Sequence, residues 1–547
     1  MKSFLPVKLK NFLSSKYVSA MIIILAIAGR ISQVFIFAGV FSDRSQQIQA
    51  TKNLLNGHGI STYEVFANNL SSPGYFTLIK WPPGYSLLLS PFYSICGEDL
   101  FWGSLLLDIL ASICFVFLLR RMISLFNVPV WIKNIYTVII GFFVYAFCTV
   151  NSSDLVALVF FLAAIHFTLK ITETYRKNYW NIFFVILFLF FAGFVRYMYI
   201  PVTLVIPFYL VLAGITTKNK ILLKRGSLIL LPLALLFCGI LFYNNSYGGS
   251  PAFLYEVQKG FYPHNLFQVA PFTYASVVNL EPPSLWISKI AGVKFTSIAW
   301  GVILFHLLTL LVVGILSLKW MLAKRFRAFS LYDHLVYLLI YFTVAVIVLL
   351  AYLSATNAPI EMGNYTKWTY LAETRYYALP ICLFQLWLWV AIDKYYASLR
   401  KNVKYLTIIL ISAMLITTAH YIYFTVKNIT ERGFTLSSKR SNPEMQAFRT
   451  LLHGFVLENP GKNIVFCSSD FEKNSYSNLW ESIPSLHDFK KLNTMELKTG
   501  KETLLFVAIN NKETLLWQGF LDNPYKHYIG ETNEWKFYSI NVSPLIQ

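Results

Sequence analysis

The sequence predicts a polytopic α-helical membrane protein that carries a small α/β domain at its C-terminal end. Of the 547 residues, 56% are hydrophobic and only 13% are charged, whereas soluble domains carry about 25% charged residues. Long apolar runs recur up to residue 424, and a polar segment of mixed character follows them. This composition excludes disorder, a nucleic-acid-binding domain and a single soluble core.

We predict eleven membrane helices, because a spanning helix needs about 20 apolar residues. They lie near residues 18–40, 101–119, 131–150, 155–169, 181–199, 201–215, 227–243, 296–318, 334–353, 376–392 and 405–424. The first run is too long for a signal-peptide core, so we interpret it as a retained helix.

The charge distribution predicts the orientation of these helices. The net charge is +20, and with the N-terminus inside, Lys and Arg are more than twice as numerous in inner as in outer loops, as the positive-inside rule expects. An odd number of helices then places the tail outside. The short inner loops favour a bacterial inner membrane.

The predicted domains are a membrane domain, 1–424, and an extracytoplasmic α/β domain, 425–547. The first includes two long outer loops, 41–100 and 244–295, which we expect to fold at the membrane surface. In the tail, NPEMQAFRTLLHGFVLEN has helical periodicity, and NIVFCSS, ETLLFVAIN and WKFYSINV are typical of strands. The tail has no Gly-rich phosphate loop, so we expect it to bind an acceptor or to pack onto the outer loops.

Two motifs in the first outer loop contain candidate functional residues. Asp43 directly follows the first helix, and the next stretch resembles a surface amphipathic helix that ends in a Gly turn. The alternative for Asp43 is a solvated helix cap. Lys80 precedes the run Trp81–Leu89, in which two prolines force an extended entry. Lys80 suits a lipid phosphate in the outer leaflet, or it extends to the headgroups.

Three further candidates lie at predicted outer ends of helices. Asp154 occupies the turn before the fourth helix, where it is either functional or an N-cap. Arg196 and Arg375 each precede a Tyr at the end of an apolar run. Arginine binds phosphate through several donors; the alternatives are interfacial anchors or a Glu373–Arg375 ion pair. The nine His and six Cys show no metal-ligand spacing, so no metal site is predicted.

Together these motifs resemble the GT-C superfamily of polytopic glycosyltransferases, and within it the dolichyl-phosphate-mannose-protein mannosyltransferase and aminoarabinose transferase type. The resemblance depends on Asp43 after the first helix, on the Trp81–Leu89 run, and on Arg375 and Tyr376 with Pro380 at the start of a late helix. Asp154 stands where relatives often keep an acidic residue. Many relatives have two adjacent acidic residues where Asp43 is followed by Arg44, so the departure disfavours a divalent metal, and no cofactor is required.

The resemblance implies a donor sugar on a polyprenyl phosphate and a glycan, lipid or protein acceptor. It implies an inverting single displacement at the extracytoplasmic face, with Asp43 as general base. Lys80, Arg196 and Arg375 would bind the donor phosphate, and Asp154 would orient a substrate. The expected partners are membrane lipids and these substrates, with no nucleic acid. A transporter or flippase of lipid-linked sugars, an O-antigen polymerase or ligase, and a structural or sensing protein are the alternatives.

Overall fold

The computed structural model describes most of the chain. The residues described are 6–37, 42–79, 81–96, 100–143, 152–173, 179–248, 260–267, 292, 329–357, 360–362, 365–368, 374–396, 401–432, 443–468, 481–487, 491–511 and 514–543. The chain forms two compact units. The first consists of Met1–Val34, Asp108–Leu241 and Leu254–Gly433, and the second of Phe35–Leu107, Phe242–Phe253 and Phe434–Gln547.

The described helices follow the predicted apolar runs closely. Those of the N-terminal part are α1 Val7–Leu13, α2 Lys16–Phe37, α3 Ser42–Leu55, α4 Gly84–Leu89, α5 Tyr93–Cys96, α6 Leu100–Ser124, α7 Val130–Phe142, α8 Ser152–Glu173, α9 Tyr179–Val195, α10 Tyr199–Thr203, α11 Val205–Thr216 and α12 Lys220–Gly248. They continue with α13 Leu331–Thr356, α14 Ala378–Tyr395, α15 Lys401–Arg432, α16 Pro443–Glu458, α17 Lys491–Thr494 and α18 Gln518–Leu521. Single 3₁₀ turns cover Ser90–Phe92, Pro263–Phe267, Thr374–Tyr377 and Thr514–Trp517.

Eight membrane spans are present in the described part of the chain, judged by the length and apolar composition of the helices, and α7 and α9 are shorter apolar helices. Their positions confirm a polytopic helical membrane protein and match ten of the predicted runs. The predicted helix near 296–318 lies outside the described residues.

Helix α7 ends at Phe142, and residues 144–150 of the predicted run 131–150 lie outside the described residues. The last carbonyls of α7 are bound by side chains of α2. Arg30 donates from Nε to the Ile140 carbonyl at 2.7 Å and from Nη2 to the Phe143 carbonyl at 2.9 Å. Gln33 Nε2 donates to the Phe142 carbonyl at 2.8 Å. A cation at a helix C-terminus also interacts favourably with the helix dipole. The buried Arg30 is thus satisfied within the apolar core of the first unit.

Helix α13 lies antiparallel to α14, and a segment of the second outer loop covers its C-terminal end. Tyr332, near the start of α13, accepts a hydrogen bond from Trp387 Nε1 in the middle of α14 at 2.9 Å, and its ring lies 5.3 Å from that of Tyr395 at the end of α14. At the other end of α13, Asn265 Nδ2 donates to the carbonyls of Ser354 at 2.8 Å and Asn357 at 3.2 Å. Backbone amides of residues 260 and 262 bind two more of the final carbonyls. These bonds satisfy groups that a helix end leaves unpaired.

A seven-stranded mixed sheet forms the core of the second unit. Its strands are β1 Ser61–Phe66, β2 Asn69–Thr77, β5 Asn463–Ser468, β6 Ser485–Leu486, β7 Thr503–Asn510, β8 His527–Glu531 and β9 Trp535–Val542, in the order β2-β1-β6-β5-β7-β9-β8. The short strands β3 Ile360–Met362 and β4 Tyr365–Trp368 form a separate hairpin in the first unit. Strands β1, β6, β5 and β7 run parallel to one another, whereas β9 pairs antiparallel with β7.

Alternating side chains of the central strands fill two cores, as the period of two in a strand requires. Val465 and Val507 face one core, whereas Phe466 and Phe506 face the other, together with Phe448 of α16. The helix and the three strands predicted in the tail are therefore confirmed as α16, β5, β7 and β9.

The first outer loop contributes β1 and β2 to the same sheet as the tail, a pairing that the division at residue 424 did not include. Glu64 of β1 pairs with Ser485 of β6 in parallel, and His487 Nδ1 lies 2.5 Å from Glu64 Oε2. The tail thus packs onto residues 61–77 of the predicted first outer loop, and packing onto a loop was one of the two roles expected for it.

Candidate functional site

The centre of the candidate site is an ion pair between α8 and the turn that follows α9. Asp154 lies in the first turn of α8, and its Oδ1 is 2.7 Å from Arg196 Nε. Both side chains are almost completely buried, with 1% and 4% of their surface exposed. A carboxylate near a helix N-terminus is also stabilised by the helix dipole, so the first-turn position and the ion pair both stabilise the charge of Asp154.

The backbone around Arg196 is fixed by the helices on both sides. Its amide continues the ladder of α9 by donating to the Ala192 carbonyl at 3.2 Å, and its own carbonyl accepts from the Tyr199 amide at 3.0 Å. Arg196 Nη1 also lies 3.4 Å from Ser153 Oγ. The guanidinium is therefore held in one orientation between two helix ends.

Arg375 adds a second cation to the same carboxylate. It belongs to the 3₁₀ turn Thr374–Tyr377 that leads directly into α14, and Pro380 suits the first turn of that helix. Arg375 Nη1 lies 3.8 Å from Asp154 Oδ2, and its guanidinium stands 5.1 Å from the centre of the Tyr376 ring. With 12% of its side chain exposed, Arg375 is the most accessible of the three charged groups.

The packing of α8 keeps the three charged residues at one level. Phe161 of α8 is fully buried and contacts Tyr199 of α10 and Phe342 of α13, with ring centres 5.3 and 5.6 Å apart. Helix α8 also packs against α9 and α14. In the cluster of Asp154, Arg196 and Arg375, two guanidinium groups thus lie beside one carboxylate.

The structure therefore brings together three of the five predicted site residues. The side chain of Asp43 and the whole of Lys80 lie outside the described residues. The backbone of Asp43 is the second residue of α3. The predicted helix and its Gly turn are confirmed, with Gly57 at a φ of 82°, but the surface position predicted for this helix is wrong. Residues 44–51 of α3 are all buried.

One side of helix α3 contacts the run Trp81–Leu89, the next motif of the predicted first outer loop. Trp81 Nε1 donates to Gln46 Oε1 at 3.1 Å, and Ser86 Oγ donates to the Gln47 carbonyl at 3.1 Å. Pro83 is the N-cap of α4, directly before its first residue, as expected for a proline, which cannot lie within a helix. Gln46, three residues after Asp43, and Trp81, the residue after Lys80, are thus in contact within the second unit.

Sequence reasoning named Asp154 and the two arginines separately, and it missed that they contact one another. It also missed Ser153 as a partner of Arg196. Glu373, the alternative partner of Arg375, lies outside the described residues. Among the described residues, no group of three or more His, Cys, Asp or Glu side chains could hold a metal ion.

The fold defines the class of the protein as a polytopic helical membrane protein with a second unit built on a mixed α/β sheet. No family model matches the chain, and no curated protein matches it. Among solved structures, the oligosaccharyltransferase of Archaeoglobus fulgidus tethered with an acceptor peptide containing the NVT sequon is similar. Its TM-score is 0.50 at 10% identity, over 97% of this chain and 75% of that chain.

ArnT from Cupriavidus metallidurans bound to undecaprenyl phosphate is also similar. Its TM-score is 0.48 at 11% identity, over 95% of this chain and 96% of that chain. Because only 10% of the aligned residues are identical, the similarity to the archaeal oligosaccharyltransferase shows the fold alone. It confirms the fold class that the motifs predicted.

Proposed function

We propose that this protein is a membrane glycosyltransferase that moves a sugar from a polyprenyl-phosphate donor to an acceptor hydroxyl. The observation that supports the proposal is the buried cluster in which Arg196 and Arg375 flank Asp154. We place the reaction at the extracytoplasmic face of a bacterial inner membrane, with the N-terminus in the cytoplasm. The donor, the acceptor and the surrounding lipids are then its partners.

The chemistry of this transfer needs cations at the leaving group. When the bond between the anomeric carbon and the phosphate oxygen breaks, that oxygen gains negative charge. Preorganised donors that face a developing charge in a water-poor site are often the largest contribution to catalysis. Arg196 and Arg375 supply such donors, because a guanidinium binds phosphate oxygens in two-pronged geometry. Lys80 is the third cation of the proposal.

In this proposal Asp154 acts through the arginines. Its carboxylate lies within 2.7 Å of Arg196, so it is occupied in an ion pair and is poorly placed to accept a proton from an acceptor. It fixes the orientation of the guanidinium and offsets part of the cost of burying two cations. Asp154 is therefore a positioning residue for the arginines, whereas the resemblance implied that it orients a substrate.

Asp43 is the general base of the proposal, as the resemblance implies. It would accept the proton of the acceptor hydroxyl while that oxygen attacks the oxocarbenium-like carbon, in one displacement that inverts the anomeric centre. General base catalysis of this kind is worth about 10²–10⁴-fold in rate. The proposal requires no cofactor.

The experiment uses the full-length protein in nanodiscs with radiolabelled polyprenyl-phosphate sugars and a panel of glycan, lipid and peptide acceptors. The archaeal oligosaccharyltransferase holds a peptide on a similar fold, so a peptide belongs in the panel. Label transfer and release of the free lipid phosphate are measured for the wild type, Arg375→Lys and Asp43→Asn. Arg121→Lys, an exposed arginine at the end of α6, is the matched control.

We expect transfer by the wild type and the control, and weaker donor binding by Arg375→Lys because lysine lacks the planar fork. Asp43→Asn should lose about 10²–10⁴-fold in turnover and keep its KM for the donor. Transport of the donor across vesicles without modification of any acceptor would instead support a flippase. Full activity of Asp43→Asn would remove the base from the proposal.

A further inference from the structure

Tyr199, the first residue of α10, is a buried tyrosine whose hydroxyl makes no hydrogen bond with the described residues. Buried Tyr hydroxyls usually have a partner, and other buried tyrosines of the first unit follow this rule. Tyr209 forms a hydrogen bond with His334 of α13, and Tyr332 accepts one from Trp387 at 2.9 Å. The Tyr199 hydroxyl therefore retains its donor for a molecule that is not part of the chain.

The backbone and ring contacts of Tyr199 place it against the candidate site. Its amide donates to the Arg196 carbonyl at 3.0 Å, so it follows that arginine by about one helical turn. Its ring stands edge-on to Phe161 of α8, with ring centres 5.3 Å apart and an interplanar angle of 67°. Phe161 and Asp154 share one face of α8, because two turns of a helix span about seven residues. The phenol thus lies along the face of α8 that carries Asp154.

The charged groups around the phenol indicate that its hydroxyl faces the ion pair. Tyr199 interacts electrostatically with Asp154 and Arg196. Tyr376, in the turn before α14, and Cys382 of α14 interact with it in the same way. Because only 4% of Tyr199 is exposed, the phenol lies in a water-poor environment, where a hydrogen bond to an anion is stronger than in water. Groups on α8, on the turn after α9 and on α14 therefore converge on this hydroxyl.

The phenol and the two arginines complement one another as hydrogen-bond donors. In the proposed function, Arg196 and Arg375 bind the donor phosphate through their N–H groups. The Tyr199 hydroxyl adds a neutral O–H donor at the same place, because a phenol keeps its proton at neutral pH. The Asp154 carboxylate contacts the two arginines, at 2.7 and 3.8 Å, and makes no hydrogen bond with Tyr199. A phosphate that reaches the arginines would therefore find this O–H group available.

We propose that the Tyr199 hydroxyl donates a hydrogen bond to the phosphate of the lipid carrier, beside Arg196. The identity of the carrier rests on the proposed function. The hydrogen bond involves no proton transfer, because the phenol keeps its proton and orients the phosphate oxygens. A phospholipid headgroup and free phosphate offer the same kind of acceptor oxygen, so a test has to separate both from a polyprenyl phosphate.

Two phenylalanine variants of the full-length protein in detergent separate ligand binding from folding. Tyr199→Phe removes a hydroxyl that has no partner in the described part of the chain, whereas Tyr209→Phe, the matched control, removes one that is bonded to His334. Melting temperatures are measured without ligand. Kd values are then measured by microscale thermophoresis for undecaprenyl phosphate, phosphatidylglycerol and inorganic phosphate.

We expect the two variants to behave in opposite ways. Tyr199→Phe should keep the melting temperature of the wild type and bind undecaprenyl phosphate about 10–100-fold more weakly, through the loss of one hydrogen bond to a charged group. Tyr209→Phe should melt at a lower temperature, because His334 loses its partner, and should bind undecaprenyl phosphate as the wild type does. Neither substitution should change the Kd of phosphatidylglycerol or of inorganic phosphate.

Unchanged affinity of Tyr199→Phe for undecaprenyl phosphate would overturn the assignment of this hydroxyl. An equal loss of affinity for phosphatidylglycerol or inorganic phosphate would overturn it in favour of another phosphate source. A Tyr199→Phe variant that melts early or does not fold would also contradict it, because the hydroxyl would then have a partner within the chain. If the wild type binds undecaprenyl phosphate through Tyr199 but transfers no sugar, the proposed function fails and the hydrogen bond stands.

Discussion

The Asp154 carboxylate and the Arg196 guanidinium, 2.7 Å apart and both buried, join the first turn of α8 to the end of α9. A buried pair of this kind costs desolvation, and removing one partner leaves a charge that nothing offsets. Asp154→Asn should therefore reduce the free energy of unfolding by about 3–5 kcal/mol. Thermal unfolding in detergent gives the change.

The double variant Asp154→Asn with Arg196→Gln tests whether the pair acts as a unit. The second substitution should cost much less in the presence of the first, because the unpaired charge has been removed. Additive losses would mean that the two residues contribute independently, and the positioning role of Asp154 would then fail.

The hydrogen bonds of Arg30 predict that substituting this residue, which is not part of the candidate site, lowers the stability of the protein. Its side chain binds the carbonyls of Ile140 and Phe143 at the end of α7. Arg30→Met keeps the apolar length but leaves these buried carbonyls without their donor, at a cost of about 1–3 kcal/mol each. We expect a lower melting temperature than for the wild type, with Arg121→Met as the control. Equal melting temperatures for the two variants would contradict the capping of α7 by Arg30.

The hydrogen bonds of Asn265 predict that this residue holds the segment 260–267 to the C-terminal end of α13. Asn265→Ala loses two hydrogen bonds to the helix end, and Asn265→Asp places a negative charge against carbonyl oxygens and the negative end of the helix dipole. We expect proteolysis within 260–267 to be fastest in Asn265→Asp, slower in Asn265→Ala and slowest in the wild type. Asn428→Ala, which loses a bond within a single helix, is the control. An Asp variant as resistant as the wild type would refute this account.

The buried thiol of Cys467 predicts how the stability of the second unit depends on pH. Burial in the core beside β7 raises the pKa of its thiol above the ordinary 9.0. The pKa of the Cys467 thiol is thus higher in the folded than in the unfolded protein. The contribution of the buried thiol to the free energy of unfolding is therefore fully present below pH 9, and it is lost as the pH rises above 9 and the unfolded thiol ionises. We expect no labelling of Cys467 by a maleimide at pH 8 unless denaturant is added. Rapid labelling of Cys467 in the folded protein would contradict its burial.

Much of the fold follows from local patterns in the sequence. Ten predicted apolar runs coincide with described helices, eight of them long enough to span a membrane, and alternation located β5, β7 and β9 in the tail. The pairing of β1 with β6 was not predictable, because it joins residues about 420 positions apart and a parallel pair leaves no turn signal between its strands. The burial of α3 was missed for a related reason. Its side chains Gln46 and Thr51 bind Trp81 and the Ser86 carbonyl, and only tertiary structure shows such partners.

The candidate site was predictable residue by residue but not as a contact. Charges at helix ends identified Asp154, Arg196 and Arg375, since ionisable groups at membrane level are costly. Whether each was a cap, an anchor or a ligand depended on which helix ends meet in space. The contact of Asp154 with both arginines depends on the packing of α8, α9 and α14.

The most direct test of the central claim is a cryo-EM structure of the full-length protein in nanodiscs with undecaprenyl phosphate. The account predicts phosphate density within hydrogen-bonding distance of both Arg196 and Arg375, and loss of that density in Arg375→Gln. A phosphate bound elsewhere, with Arg196 and Arg375 contacting only protein groups, would contradict it.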